Sequence, residues 1–81
     1  MIASDDELAA AILALLAERR EGASICPSDV ARALAEDWRP LMQPVRDAAR
    51  RLVDEGAIVV TQRGRVIDLG ASRSPIRLRR R

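Results

Sequence analysis

The 81-residue chain has no histidine, lysine, phenylalanine or tyrosine, and only one cysteine and one tryptophan. Each absence excludes something. A single thiol cannot close an internal disulfide, so no covalent staple is on offer. Without histidine, a His/Cys metal cluster cannot be assembled. No apolar run approaches the roughly 20 residues of a membrane span. The opening MIASDDELAA is acidic, whereas a secretory signal opens basic. The expectation is a cytoplasmic protein without membrane contact. With Trp38 as the only aromatic ring, Leu, Ile, Val and Ala must fill the core.

Catalysis is also hard to build. Asp29, Asp37, Asp47 and Glu55 are the acids available for acid–base work, but nothing in the sequence encloses two of them in one pocket. No Walker, Rossmann or nuclease pattern is present. The expectation is a non-enzyme without cofactor.

What is present suits one small domain spanning residues 1–81, with 48% hydrophobic and 32% charged residues. All 14 basic residues are Arg, whose planar fork pairs bidentately with phosphate or carboxylate. The net charge of +2 hides a gradient. Residues 1–31 balance at −4, residues 32–56 at zero and residues 57–81 at +6. An acidic front and basic back make contact between copies, as in a homodimer, conceivable.

The first helix is expected from about Asp5 to Arg20. Ser4 and Glu7 form a capping-box pattern, and Leu8, Ile12, Leu15 and Leu16 share a face. Arg19 and Arg20 fall in its last turn, with Gly22 as the terminating glycine. An extended link, Ala23–Cys26, points Ile25 inward. Pro27 opens a short second helix to about Ala35, with Asp29 at its third position and Val30, Ala31 and Leu34 inward. Cys26 is expected as a small buried contact and Trp38 as the core's largest plug. Asp37 is expected to cap the third helix, which runs from Trp38 or Pro40 to Glu55 and ends at Gly56. Pro44 either starts that helix or bends it; a bent first turn in one continuous element is the preferred reading.

On this third helix Leu41, Val45, Ala48, Ala49 and Leu52 form one stripe. Arg39, Gln43, Arg46 and Arg50 lie opposite. Such a row can read a groove or simply be a solvated face paired with nearby acids. Residues 57–62 and 65–69 then read as two strands joined by Arg63–Gly64. Ile58, Val60, Ile67 and Leu69 must pack on the helices, because two strands cannot stand alone. Arg63 and Arg65 sit at the hairpin tip. Residues 70–75 read as turn and linker. Ile76 and Leu78 point the same way and can dock. The last few residues are expected as a frayed basic tail. Asp68 is a candidate partner for Arg46, Arg50 or a tail arginine.

This order defines the expected fold class: α+β, mostly α, a winged helix in which the second and third helices form the helix-turn-helix and the C-terminal β-hairpin is the wing. The third helix of such a domain enters the major groove of DNA. The candidate nucleic-acid-binding residues are Arg39, Gln43, Arg46 and Arg50 on the helix, Arg63 and Arg65 on the wing, and Arg77 and Arg79 as outlying phosphate contacts. The expected function is DNA binding, as a transcriptional regulator or accessory, with double-stranded DNA as partner. The alternative is a protein-interaction module for an acidic partner, because many folds of this kind bind proteins.

Four segments carry a resemblance: ILALLAERR, SICPSDVARAL, WRPLMQPVRDAARRLVDEGAIVVTQRGRVID and SPIRLRR. They look like a family of small bacterial proteins catalogued as domain of unknown function 3253. The resemblance runs from about Ile12 to the end of the chain. It implies a winged-helix-like fold and brings no activity, ligand or functional residue with it.

Overall fold

The structure is a computed structural model and describes residues 4–71 and 75–81. Its first helix begins where its cap places it. Ser4 holds an extended backbone, its Oγ accepts from the Glu7 amide at 3.2 Å, and its hydroxyl donates to Glu7 Oε1 at 3.2 Å. Helix α1 spans Asp5–Glu18 and buries Leu8, Ala9, Ile12 and Leu16, with Leu15 half-buried at the stripe's edge. The helix stops before the two arginines expected in its last turn, because Arg19 is already extended. Gly22, at φ +84°, therefore does not cap it. It serves the next turn, which the Ala23 amide closes by donating to the Arg20 carbonyl at 3.1 Å.

Strand β1, Ser24–Ile25, points Ile25 into the core, where it is fully buried. Helix α2 covers Pro27–Leu34, with Pro27 in the first turn and Asp29 Oδ2 accepting from the Cys26 amide at 2.9 Å. Val30 and Ala31 are buried as expected, whereas Leu34 is 41% exposed. Four residues carry Leu34 about 40° around the helix from Val30. The helix ends there, since Ala35 is extended.

Asp37 does not cap the third helix. Trp38 takes the capping position with helical dihedrals and no side-chain cap bond, and a 3₁₀ turn, Arg39–Leu41, begins after it. The turn runs directly into helix α3, Met42–Asp54. Pro44 is the third residue of α3, in the first turn, where proline is tolerated better than in a helix interior. The continuous element with a bent start is therefore the observed one. Val45, Ala48, Ala49 and Leu52 are buried. At the far end Gly56, φ +78°, closes a Schellman motif: its amide donates to the Val53 carbonyl at 3.0 Å and the Ala57 amide to the Leu52 carbonyl at 2.9 Å.

Strands β2, Ile58–Gln62, and β3, Arg65–Ile67, pair antiparallel around Arg63 and Gly64, at φ +53° and +81°. Two consecutive positive φ values make the turn type I′, whose twist matches the strands. Leu69 falls not in β3 but in a 3₁₀ turn, Leu69–Ala71, and is still buried. The linker expected over 70–75 lies partly outside the described residues, at 72–74.

The largest departure from expectation is at the C-terminal end. Arg79 and Arg80, expected in a frayed tail, continue the docking segment as strand β4, Arg77–Arg80. The sheet order is β1-β4-β2-β3, so β4 is a central strand. Leu78 pairs with Ile25 on one side and Val60 on the other; Arg79 pairs with Ser24 and Val59. Alternation explains the insertion. Ile76 and Leu78 are buried at 2% and 0%, so the strand turns its apolar residues to the core and sends Arg77 and Arg79 to the opposite face. The result is a mixed α+β, mostly helical chain: helices α1–α3 and a four-stranded antiparallel sheet around one buried cluster. Among the described residues, no helix is long and apolar enough to cross a membrane.

Candidate nucleic-acid interface

The two polar flanks of α3 meet different surroundings. On one, Arg51 Nη1 donates to Asp5 Oδ2 and Asp6 Oδ1, both at 2.6 Å, and Arg51 Nε donates to Glu55 Oε2 at 3.0 Å. These bonds tie α3 to the first turn of α1. They raise the guanidinium's pKa further above its ordinary value, Asp5 contributing most, then Asp6 and Glu55. Every ion pair among the described residues involves Arg51. The acidic front of the chain is thus partly spent on this brace.

The other flank carries the expected row. Gln43, Arg46 and Arg50 line a groove with Asp47, Leu69 and Gly70. Gln43 Nε2 donates to Asp47 Oδ1 at 2.9 Å, so its amide is preoccupied in the free protein. Arg46 is half-buried and Arg50 exposed. Arg50 lies across the 3₁₀ turn: a Cβ at Gly70 would stand 2.6 Å from its Nη2. Asp68 forms no ion pair with any described arginine. Its Oδ1 accepts from the Gly70 amide at 3.0 Å and closes that turn instead. The carboxylate still lies near Arg50, since the same Gly70 Cβ position is 3.6 Å from Asp68 Oδ1.

Arg39 does not share this groove. Its guanidinium carbon sits 4.7 Å from the centre of the Trp38 ring, and that of Arg32 sits 4.5 Å from it. Trp38 is therefore no fully buried plug; it is half-buried, packs against the core and carries cation–π contacts. The sequence singled out neither Arg32 nor this stack, because the pair forms across the turn between α2 and α3 and follows no helical spacing.

Arg63 and Arg65, exposed at the hairpin tip, line a second groove with Gln62, Ile67, Pro75 and Arg77. Arg77 has a further task. Its Nε donates to Ser24 Oγ, its Nη1 to Cys26 Sγ and its Nη2 to the Ser24 carbonyl, each at 2.9 Å. It clamps β4 to β1 and the start of α2. Cys26 is half-buried rather than a buried core contact, and this clamp holds its sulfur.

A third groove joins the other two. Cys26, Pro27, Ser28, Met42, Arg46, Pro75 and Ile76 line it, so it shares Arg46 with the α3 groove and Pro75 with the hairpin groove. Gln43, Arg46, Arg50, Arg63, Arg65 and Arg77 therefore border one connected grooved face. Asp47 is the one acid among its described lining residues. Arg79 lies elsewhere, in a groove with Glu21, Gly22, Arg80 and Arg81. No group of three or more potential metal ligands occurs among the described residues.

Fold and surface together define a class: a small, mostly helical α+β protein whose exposed side chains present an arginine-bordered grooved face. The chain belongs to the family described as "Protein of unknown function (DUF3253)", which matches residues 5–81. A search of curated proteins returned no match.

Proposed function

We propose that this chain is a winged-helix domain that binds double-stranded DNA, as a regulator or accessory, and is not an enzyme. In this reading α2, the 3₁₀ turn and α3 form the helix-turn-helix, and the β2–β3 hairpin is the wing. Strand β4 fills the space between the hairpin and β1. The connected grooved face carries the reading. Gln43, Arg46 and Arg50 on α3 and Arg63 and Arg65 on the wing border it together, with Asp47 as the opposing acid. Arg suits guanine O6/N7 or phosphate, and Gln suits adenine N6/N7 once its bond to Asp47 is exchanged. Arg77 supports the wing through its clamp on Ser24 and Cys26. One module covers little of a duplex, so the reading entails two copies or a companion factor on the DNA.

The test is a titration by fluorescence anisotropy against random and genomic duplexes at several salt concentrations. The affinity should fall steeply as salt rises, as counterion release requires. An absence of binding at low salt removes the DNA reading. Binding to an acidic polypeptide under the same conditions, without duplex binding, replaces it with a protein partner.

A further inference from the structure

Strand β4 ends in a second basic groove, away from the face described above. Glu21, Gly22, Arg79, Arg80 and Arg81 line it. Three guanidiniums against one carboxylate leave a local excess of positive charge. The arginines here differ in how the fold uses them. Arg81 is held at the exit of α3: its amide donates to the Ala57 carbonyl at 3.3 Å, and a Cβ at Gly56 would stand 3.6 Å from its Nη1. Arg80 is exposed. Arg79 is the informative one. Its backbone sits in the middle of the sheet, paired with Ser24 and Val59. Its Nε is buried and has no hydrogen-bond partner.

The contrast with Arg77, two residues earlier on the same face of β4, is direct. Arg77 anchors all three of its nitrogens on β1 and Cys26. Arg79 takes no part in any ion pair or hydrogen bond of its side chain among the described residues. The side chain as a whole is half-buried, and a buried N–H of its charged group that lacks an acceptor is costly. Turning the guanidinium outward into the groove, onto an anion, removes that cost. We infer that this groove binds a dianionic phosphate group, with Arg79 as the principal ligand, Arg80 and Arg81 as flanking charges and Glu21 as the competing carboxylate. A phosphate dianion matches the charge excess, and its oxygens match the guanidinium fork. A phosphodiester, with a single negative charge, matches less well. The site does not depend on duplex binding by the α3 and hairpin face.

The experiment titrates the intact chain with inorganic phosphate and, separately, with dimethyl phosphate, at constant ionic strength made up with chloride. Backbone amide shifts are followed by NMR. Phosphate should move the amides of Gly22 and residues 79–81 saturably and leave those of Arg46 and Arg50 in place. Arg79→Met should weaken this at least tenfold, Arg80→Gln several-fold, and Glu21→Gln should tighten it several-fold. Arg80 is exposed, so its variant reads the site even if Arg79→Met disturbs the strand. The double change Arg46→Glu with Arg50→Glu should leave phosphate affinity unchanged, which separates this site from the duplex reading. Equal affinity for dimethyl phosphate overturns the dianion assignment. Shifts spread evenly over all arginine-bearing segments, or an affinity unmoved by both arginine variants, overturn the site.

Discussion

Arg50 and Arg51 stand one residue apart on α3, about 100° around the helix. Arg51 meets three carboxylates and ties α3 to α1, whereas Arg50 forms no ion pair with a described residue and lies over the backbone of Gly70. The two flanks of one helix thus use the same side chain in different ways. On the α1 side, charge is neutralised and joins elements. On the groove side, charge is left facing outward, tempered by Asp47 and by Asp68 near Arg50. The overall charge of +2 conceals this separation, because Asp47 is the one acid among the described residues that line the arginine-bordered face.

The deepest way to break the comparison is to remove the core both flanks share. Leu52, 2% exposed beneath α3, should cost about 2–5 kcal/mol of stability as Leu52→Ala in denaturant melts, through lost burial and the cavity left behind. Duplex affinity measured well below the new melting point should stay near normal; a parallel collapse would mean that the groove's geometry depends on the packing at Leu52. Next comes the groove flank itself. Arg46→Glu with Arg50→Glu should abolish duplex binding at moderate salt and leave the thermal midpoint nearly unchanged. Milder Arg46→Gln with Arg50→Gln should flatten the log–log salt slope by about 2, at ~0.9 for each phosphate no longer neutralised. A large drop in midpoint in either pair would assign those arginines to the fold.

A smaller effect sharpens the contrast without touching charge. Gly70→Ala drives a methyl into the space taken by Arg50 Nη2 and should displace that side chain. The expected loss is roughly 0.5–1.5 kcal/mol in duplex binding, the cost of an altered rotamer. Stability should move by no more than about 0.5 kcal/mol, as for most surface changes. Unaltered affinity would show that Arg50 does not act from its present position. The smallest effect belongs to the braced flank. Arg51→Gln should lower the thermal midpoint slightly at low salt, with the difference vanishing near 1 M salt, where the screening length is only ~3 Å. Its duplex affinity should match the wild type; a loss equal to that of Arg50 variants would erase the distinction between flanks.

Local signals in the sequence are reliable where a few adjacent residues settle the outcome. Ser4 with Glu7, Pro27 with Asp29, Gly56 and the Arg63–Gly64 turn all act within one turn of chain, and each is found in its expected role. Expectations fail where a neighbour decides. The last residues, Arg79–Arg81, read as a frayed tail, and only pairing with β1 and β2 draws Arg79 and Arg80 into a strand. Leu34 fits the inward stripe of α2, but the helix ends at that residue. Asp37 is a good cap residue, but the capping position falls one residue later, on Trp38, which makes no side-chain cap bond. For the candidate interface, periodicity places Gln43, Arg46 and Arg50 together. It cannot separate Arg39, which stacks on Trp38, or show that Arg77 is clamped and Arg79 lies in a different groove.

The place of β4 also bears on how the chain folds. Strand β1 pairs with β4 alone, and Ser24 meets Arg79 across most of the sequence. Pairings this distant in sequence carry a large loop-closure entropy and are formed late. Contacts closer in sequence, such as those of α2 with α3 and of β2 with β3, should organise first, and pairing of β1 with β4 should complete the sheet afterwards. In stopped-flow kinetics, Val45→Ala should then mainly slow refolding, while Ile25→Ala should mainly speed unfolding. Equal slowing of refolding by both would place sheet closure within the rate-limiting step.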